Sequence, residues 1–217
     1  MILSRGRRYI FVHIPKTGGT ALALALEARA MRDDILIGDT PKARRRKKRL
    51  EGIETAGRLW KHSTLADIVG LAREDEIADF FTVTLVRNPW DRMVSYYHWL
   101  RTQSFDHPAV ALAKSVGFSA FLNKAETGRA IRAHPYGHYV TTAKGRERCD
   151  LFIRLEHFAD DARPFEAHLG FALSPLPRVN TSARDRDWRG YYSAADRALV
   201  ATLCATDIDR FGYEFEP

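Results

Sequence analysis

The chain has 217 residues, 45% of them hydrophobic and 11% aromatic, with 34 Lys and Arg against 27 Asp and Glu for a net charge of +7. That length and apolar share suit one globular domain spanning 1–217 with a real core, and they exclude a globally disordered chain. No apolar run approaches the ~20 residues that span a bilayer. Arg5, Arg7 and Arg8 precede only a short apolar run ending at Pro15-Lys16, not a secretory h-region. Cys149 and Cys204 form no metal-ligand or disulfide pattern. The expectation is a cytoplasmic protein.

In chain order, Tyr9 to Ile14 is β-branched and aromatic, short and closed by Pro15, which predicts a buried strand. Residues 20–32 are rich in Ala and Leu and predict a helix too apolar for the surface. The stretch 33–58 carries turn residues, three glycines and seven basic residues between 42 and 49, and predicts a mobile loop or a solvated helical excursion. Without those seven, basic and acidic residues balance, so the positive charge is largely one patch. Leu65 to Glu76 predicts an amphipathic helix, and Asp79 to Val86 a strand buried on both faces. Asn88 then serves as N-cap, Pro89 as first helical residue and Asp91 as first-turn acid of the next helix. Helices are predicted again over 118–126, 158–169 and 193–210, with a third strand at 150–155. Strands separated by helices imply an α/β sheet with helices on both faces.

Two strand-to-helix junctions carry the chemistry. The first is Pro15-Lys16-Thr17-Gly18-Gly19-Thr20, where glycines permit close backbone approach and Lys16 stands just past the strand. It is not a Walker A loop, whose lysine follows the glycines. Nor does the second strand end in an acidic residue that could help hold Mg²⁺; it ends in Arg87. The second junction puts Ser95 about two turns beyond Arg87, near enough for both side chains to flank one phosphate. An ion pair between Arg87 and Asp91 beside an ordinary helix serine is the competing structural explanation. Two such junctions suggest a ligand with anionic groups at two places, such as a nucleotide phosphorylated at both 5′ and 3′ positions.

Together the junctions resemble the sulfotransferases that use 3′-phosphoadenosine 5′-phosphosulfate (PAPS). Phe11 to Thr20 looks like their 5′-phosphosulfate loop, and Val86 to Tyr97 like their 3′-phosphate element, with HIPKTGGT most similar to the carbohydrate-type branch. Residues 152–158 and 207–215 add weaker likenesses. The resemblance implies a P-loop-NTPase-like, three-layer α/β fold with a mostly parallel central sheet flanked by helices. It implies PAPS or its product adenosine 3′,5′-bisphosphate (PAP) as cofactor, with no metal, and a hydroxyl-bearing, glycan-like acceptor. It also implies a bacterial-type soluble enzyme, since the Golgi members carry an anchor. Carried over, Lys16, Thr17, Gly18, Gly19 and Thr20 would hold the 5′-phosphosulfate, and Arg87 and Ser95 the 3′-phosphate. Arg184, in the polar loop 178–184, is a further 3′-phosphate candidate.

Sulfuryl transfer needs a cation at the leaving oxygen, for which Lys16 is placed, and a base near neutral pKa for the acceptor hydroxyl. His62 is the candidate base, with Lys61 as a second cation; His13 reads as a packing residue, and His134, His138 and Glu156 are weaker alternatives. The basic block reads as a solvated loop, a nucleic-acid patch or a clamp for an acidic glycan. No nucleic-acid-binding signature accompanies it, so nucleic acid is not expected as a partner. The competing activities are a P-loop nucleotide kinase and a non-catalytic nucleotide- or polyanion-binding module. The acceptor's identity and the oligomeric state are not legible.

Overall fold

The computed structural model describes residues 1–177, 179 and 184–216. Of the polar loop at 178–184, only Val179 and Arg184 fall within it; Arg178 and residues 180–183 lie outside the described residues. Contacts divide the chain into two compact units, Met1–Val86 with Tyr136–Val179, and Arg87–Pro135 with Asn180–Pro217.

The first unit holds a five-stranded sheet: β1 (Ile2–Ser4), β2 (Tyr9–Val12), β3 (Ile35–Leu36), β4 (Phe81–Val86) and β5 (Leu151–Arg154), in the order β3-β1-β2-β4-β5. β2 pairs in parallel with β4, and β4 with β5, while β1 is antiparallel to both β2 and β3. One strand in five therefore runs against the rest. The pairing Val12↔Thr84 and Val86↔Arg154 brings the carboxyl ends of β2, β4 and β5 to one edge of the sheet. That edge is where ligands bind in open α/β sheets.

Side-chain alternation makes the core. Tyr9, Phe11, Val83, Leu85 and Ile153 point to one face, against Leu22, Ala23 and Leu26 of α1 (Gly19–Ala28) and against Phe158 and Phe165. The opposite-face residues Ile10, Val12, Thr82 and Thr84 are equally buried, so neither face of the central strands meets water. Thr84 reconciles a hydroxyl with that burial by donating to Val12 O at 2.8 Å.

The helix expected over 65–76 does not form. Leu65, Ile68, Leu71 and Ala72 are buried as expected of an apolar stripe, but turns carry them. Gly70 sits at φ +102, and a Cβ there would approach Glu54 O to 2.2 Å, so the chain bends where a helix would continue. The helix starts only at Glu74 (Glu74–Asp79), where the Glu76 carboxylate accepts from Arg73 N at 2.9 Å.

Within 33–58 the chain forms β3, a short helix (Pro41–Arg46) capped by Thr40, and a 3₁₀ turn (Lys47–Leu50). Three of the seven cations of the basic block are structural. Lys42 Nζ donates to Glu27 O, Arg46 Nη1 to Met31 O at 2.9 Å and Asp34 O at 3.0 Å, and Arg49 Nη1 to Arg32 O at 2.5 Å. These cations sit on carbonyls at and just beyond the C-terminal end of α1, the negative end of its dipole. Arg44, Arg45, Lys47 and Lys48 are exposed.

In the second unit the helix Pro89–Arg101 begins as its sequence dictates. Asn88 accepts from Trp90 N at 3.1 Å, Pro89 occupies the first position and Asp91 the first turn. Trp90, Met93, Val94, Tyr97 and Leu100 are buried, with Phe118 and Phe121 of the helix Phe118–Leu122. The C-terminal helix breaks at Cys204 into Ala194–Leu203, capped by Ser193, and Ala205–Phe211. Among the described residues, no helix is long and apolar enough to cross a membrane.

Candidate active site

Between β2 and α1 the backbone turns through two left-handed residues, Lys16 at φ +67 and Gly18 at φ +87. A lysine there is conformationally costly, and such residues cluster at ligand clamps. Space constrains both glycines as well. A Cβ on Gly18 would lie 2.8 Å from Leu155 Cδ1, and one on Gly19 would lie 2.1 Å from His13 Cδ2. Thr17 is fully buried and its hydroxyl donates to Ile14 O at 2.9 Å. That side chain closes the turn, leaving its N–H as the group it can offer. The N–H groups of Thr17, Gly18, Gly19 and Thr20 donate to no other described residue. They precede or open a ten-residue helix at its positive end, an arrangement suited to an anion.

His62 lies in the same unit. Its Nδ1 stands 2.7 Å from His13 O. A carbonyl can only accept, so Nδ1 carries the proton, and the neutral ring leaves Nε2 as its acceptor. The ring is edge-on to His13 at 4.7 Å and to Trp60 at 5.0 Å. Burial lowers its pKa to about 4 against the hydrogen bond to His13 O, with Lys61 adding to the drop. The near-neutral pKa expected from its residue type is thereby corrected. His13 is buried and its pKa is lowered well below the usual imidazole value, first by desolvation and then by neighbouring positive charge, including the N-terminus, His62, Lys61 and Lys16. Its packing role is as expected: the ring fills the space beside Gly19. Lys61 Nζ pairs with Asp39 Oδ2 at 2.7 Å, and both residues line a small cavity with His13, Thr20, Glu27 and Thr40.

Two neutral buried histidines tie stability to pH. Both fold with pKa values below their unfolded ~6.5, so below that pH the unfolded chain binds more protons and stability falls as pH falls. His62 alone accounts for up to about 3 kcal/mol between pH 6.5 and pH 4. Thermal melts should therefore shift down from pH 7 to pH 5, and His62→Gln should flatten that slope. A variant melting curve with the native pH dependence would contradict the assignment.

The weaker alternatives are His134, His138 and Glu156. His134 ends the helix Ala125–Ala133 with Nδ1 2.9 Å from Ala130 O, His138 lies in the short helix Tyr136–Tyr139, and Glu156 is exposed just after β5.

In the second unit Arg87, the residue following β4, donates from Nε and Nη2 to Asp91 Oδ2 at 2.8 and 2.6 Å. The ion pair that competed with the phosphate reading is therefore present. Arg184 joins it, donating from Nη2 to the other oxygen, Asp91 Oδ1, at 2.6 Å. Two guanidiniums on one carboxylate leave a net positive cluster, with all three side chains only 11–15% exposed. Arg184 Nη1 is buried with no acceptor among the described residues. Ser95 follows Asp91 by one helical turn and is also buried. The sequence reading brought Arg87, Ser95 and Arg184 together but left Asp91 outside the group. The Arg87, Asp91, Ser95 spacing of four was the available signal. Among the described residues, no group of three or more His, Cys, Asp or Glu is set to hold a metal ion.

No protein-family model matches the chain, and no curated protein does. Solved structures do. The mouse sulfotransferase SULT7A1, complexed with PAP, superposes over 93% of this chain and 84% of its own, with a TM-score of 0.51 at 16% identity. The chain has the sulfotransferase fold. A sulfotransferase from Alicyclobacillus acidocaldarius aligns over 97% of this chain and 100% of its own, at 18% identity and a TM-score of 0.37. On the sulfotransferase fold of this chain, the loop at 13–18 follows β2 and Arg87 follows β4, two parallel neighbours in the sheet.

Proposed function

We propose that the chain, acting as one domain over residues 1–217, is a sulfotransferase that moves a sulfuryl group from PAPS to an acceptor hydroxyl. The observation that supports this reading is a pair of donor-rich strand-to-helix junctions, each directly after a parallel strand. One offers Lys16 and N–H groups that donate to no other described residue, the other the Arg87–Asp91–Arg184 cluster with Ser95. The residues fit the nucleotide: the left-handed turn at Lys16 and Gly18 exposes a cradle, and Arg184 Nη1 has a donor to spare. Residues 16–20 would hold the 5′ end, and Arg87, Ser95 and Arg184 the 3′-phosphate. Bound PAPS would supply an activated sulfuryl group on a phosphate leaving group. Lys16 would offset the negative charge that develops on the departing oxygen. His62 Nε2 would take the acceptor's proton as the new O–S bond forms and the old one breaks.

For the acceptor we favour a carbohydrate hydroxyl. The likeness of the HIPKTGGT segment to the carbohydrate-type branch supports it, as does Trp60, 44% exposed beside His62, whose aromatic face suits a sugar ring. Exposed Arg44, Arg45, Lys47 and Lys48 suit an acidic or already sulfated glycan. A cytoplasmic enzyme accords with Cys149 and Cys204 both being thiols and not disulfide-bonded.

Calorimetric titration in EDTA tests the nucleotide half. PAP should bind far more tightly than ADP or ATP, because neither of those carries a 3′-phosphate. Equal affinity for ATP, or binding only with Mg²⁺, would return the chain to the kinase reading.

A further inference from the structure

Asp91 is an unexpected tenant of a phosphate site, since a carboxylate repels the ligand that the arginines would attract. Its geometry explains why it is there. Oδ2 engages Arg87 through Nε and Nη2, and Oδ1 engages Arg184 through Nη2 alone. Asp91 stands in the first turn of a thirteen-residue helix fixed by the Asn88 cap and by burial of Trp90, so its position is set by the core. Arg184 is the opposite case: it is distant in sequence, and its guanidinium, 11% exposed, makes its one ion pair among the described residues with Asp91. A buried cation without a partner is strongly disfavoured, so that pair fixes where the fork can lie. Nη2 is used, while Nη1 is buried and has no acceptor among the described residues. The fork is half-satisfied, with a donor pair still to fill.

We propose that Asp91 is a positioning residue for the 3′-phosphate: it latches Arg184 beside Arg87, so that the two guanidiniums present one pre-formed dianion site. This rests on the PAPS reading above. Asp91 does not touch the phosphate in this scheme; it acts by holding the arginines. The alternative, direct electrostatics, has the opposite sign. If Asp91 acted only as a nearby negative charge, removing that charge would tighten phosphate binding.

The test compares PAP with AMP, which lacks the 3′-phosphate, by calorimetry on wild type, Asp91→Asn, Arg184→Gln and the double variant. Asn keeps the shape but loses the charge and turns an N–H₂ toward a guanidinium. Asp91→Asn should weaken PAP by about 10- to 100-fold, the worth of charge-assisted hydrogen bonds, and leave AMP unchanged. Arg184→Gln should lose PAP affinity too, and the double variant should lose no more than Asp91→Asn alone, because Arg184 acts through its latch. Should Asp91→Asn fail to fold, Arg184→Gln and Asp91→Glu answer instead: the first should lose PAP selectivity, while the second, keeping the charge, should retain most of it. Unchanged or tighter PAP binding in Asp91→Asn, or additive losses in the double variant, overturns the proposal. Wild-type protein that does not prefer PAP over AMP overturns the PAPS reading itself.

Discussion

Lys16→Ala should lower sulfuryl transfer at saturating PAPS by about 10²–10³, the usual worth of a group aimed at a developing oxyanion, while PAP affinity falls far less. The asymmetry follows from when the charge matters. In the proposed ground state the 5′ end would be held by several N–H groups at the start of α1, and one ammonium more would add little. As the bond to the departing oxygen lengthens, negative charge concentrates there, and only then does a fixed cation differentiate transition state from ground state. Arg87→Ala should show the reverse pattern, weaker nucleotide binding with the turnover number largely kept. Lys16 also holds a left-handed backbone, so its replacement by Ala retains that conformational cost, whereas Lys16→Gly removes it. Both variants should be slow if charge is what counts. Steady-state rates at saturating nucleotide decide the matter: native turnover in Lys16→Ala, or recovery in Lys16→Gly alone, would reduce Lys16 to a residue of the turn.

The legible parts of this chain were those whose signals are local. The strands at Tyr9–Val12, Phe81–Val86 and Leu151–Arg154 are β-branched runs between punctuating residues, and Asn88-Pro89 fixes its helix start by capping alone. The helix expected at 65–76 failed because the apolar spacing of Leu65, Ile68 and Ala72 describes what must be buried, not how the chain travels between. The tight approach of Gly70 to Glu54 O is a contact sixteen residues away. β1 and β3, three and two residues long, are too short for any periodicity to show. The basic block illustrates the same limit in its charges. Lys42, Arg46 and Arg49 reach carbonyls of residues 27–34, so charge that looked solvated is partly a cap for α1. At the candidate site, the motif residues were readable but their partners were not. That Arg184 and Arg87 share one carboxylate depends on a contact spanning 93 positions.

His62→Ala should bind PAP as the native protein does and transfer the sulfuryl group about 10²–10⁴ times more slowly, the range for a positioned general base. Its burial sets its pH signature. With a pKa lowered to about 4, His62 is already neutral at pH 6, so its limb lies low. The native rate should climb with pH through about 4 to 5 and be flat across neutrality, and the limb should vanish in the variant. A low pKa weakens the ring as a base, yet it keeps the whole population in the proton-accepting form at neutral pH. The hydrogen bond to His13 O makes Nε2 the accepting nitrogen. Burial that costs basicity thus fixes tautomer and orientation. Because the acid side also destabilises the fold through both buried histidines, the profile must be taken where melts show the protein folded. A pH-dependent rate limb that survives in His62→Ala would transfer the role to another group. Near-native turnover in the variant would end the assignment outright.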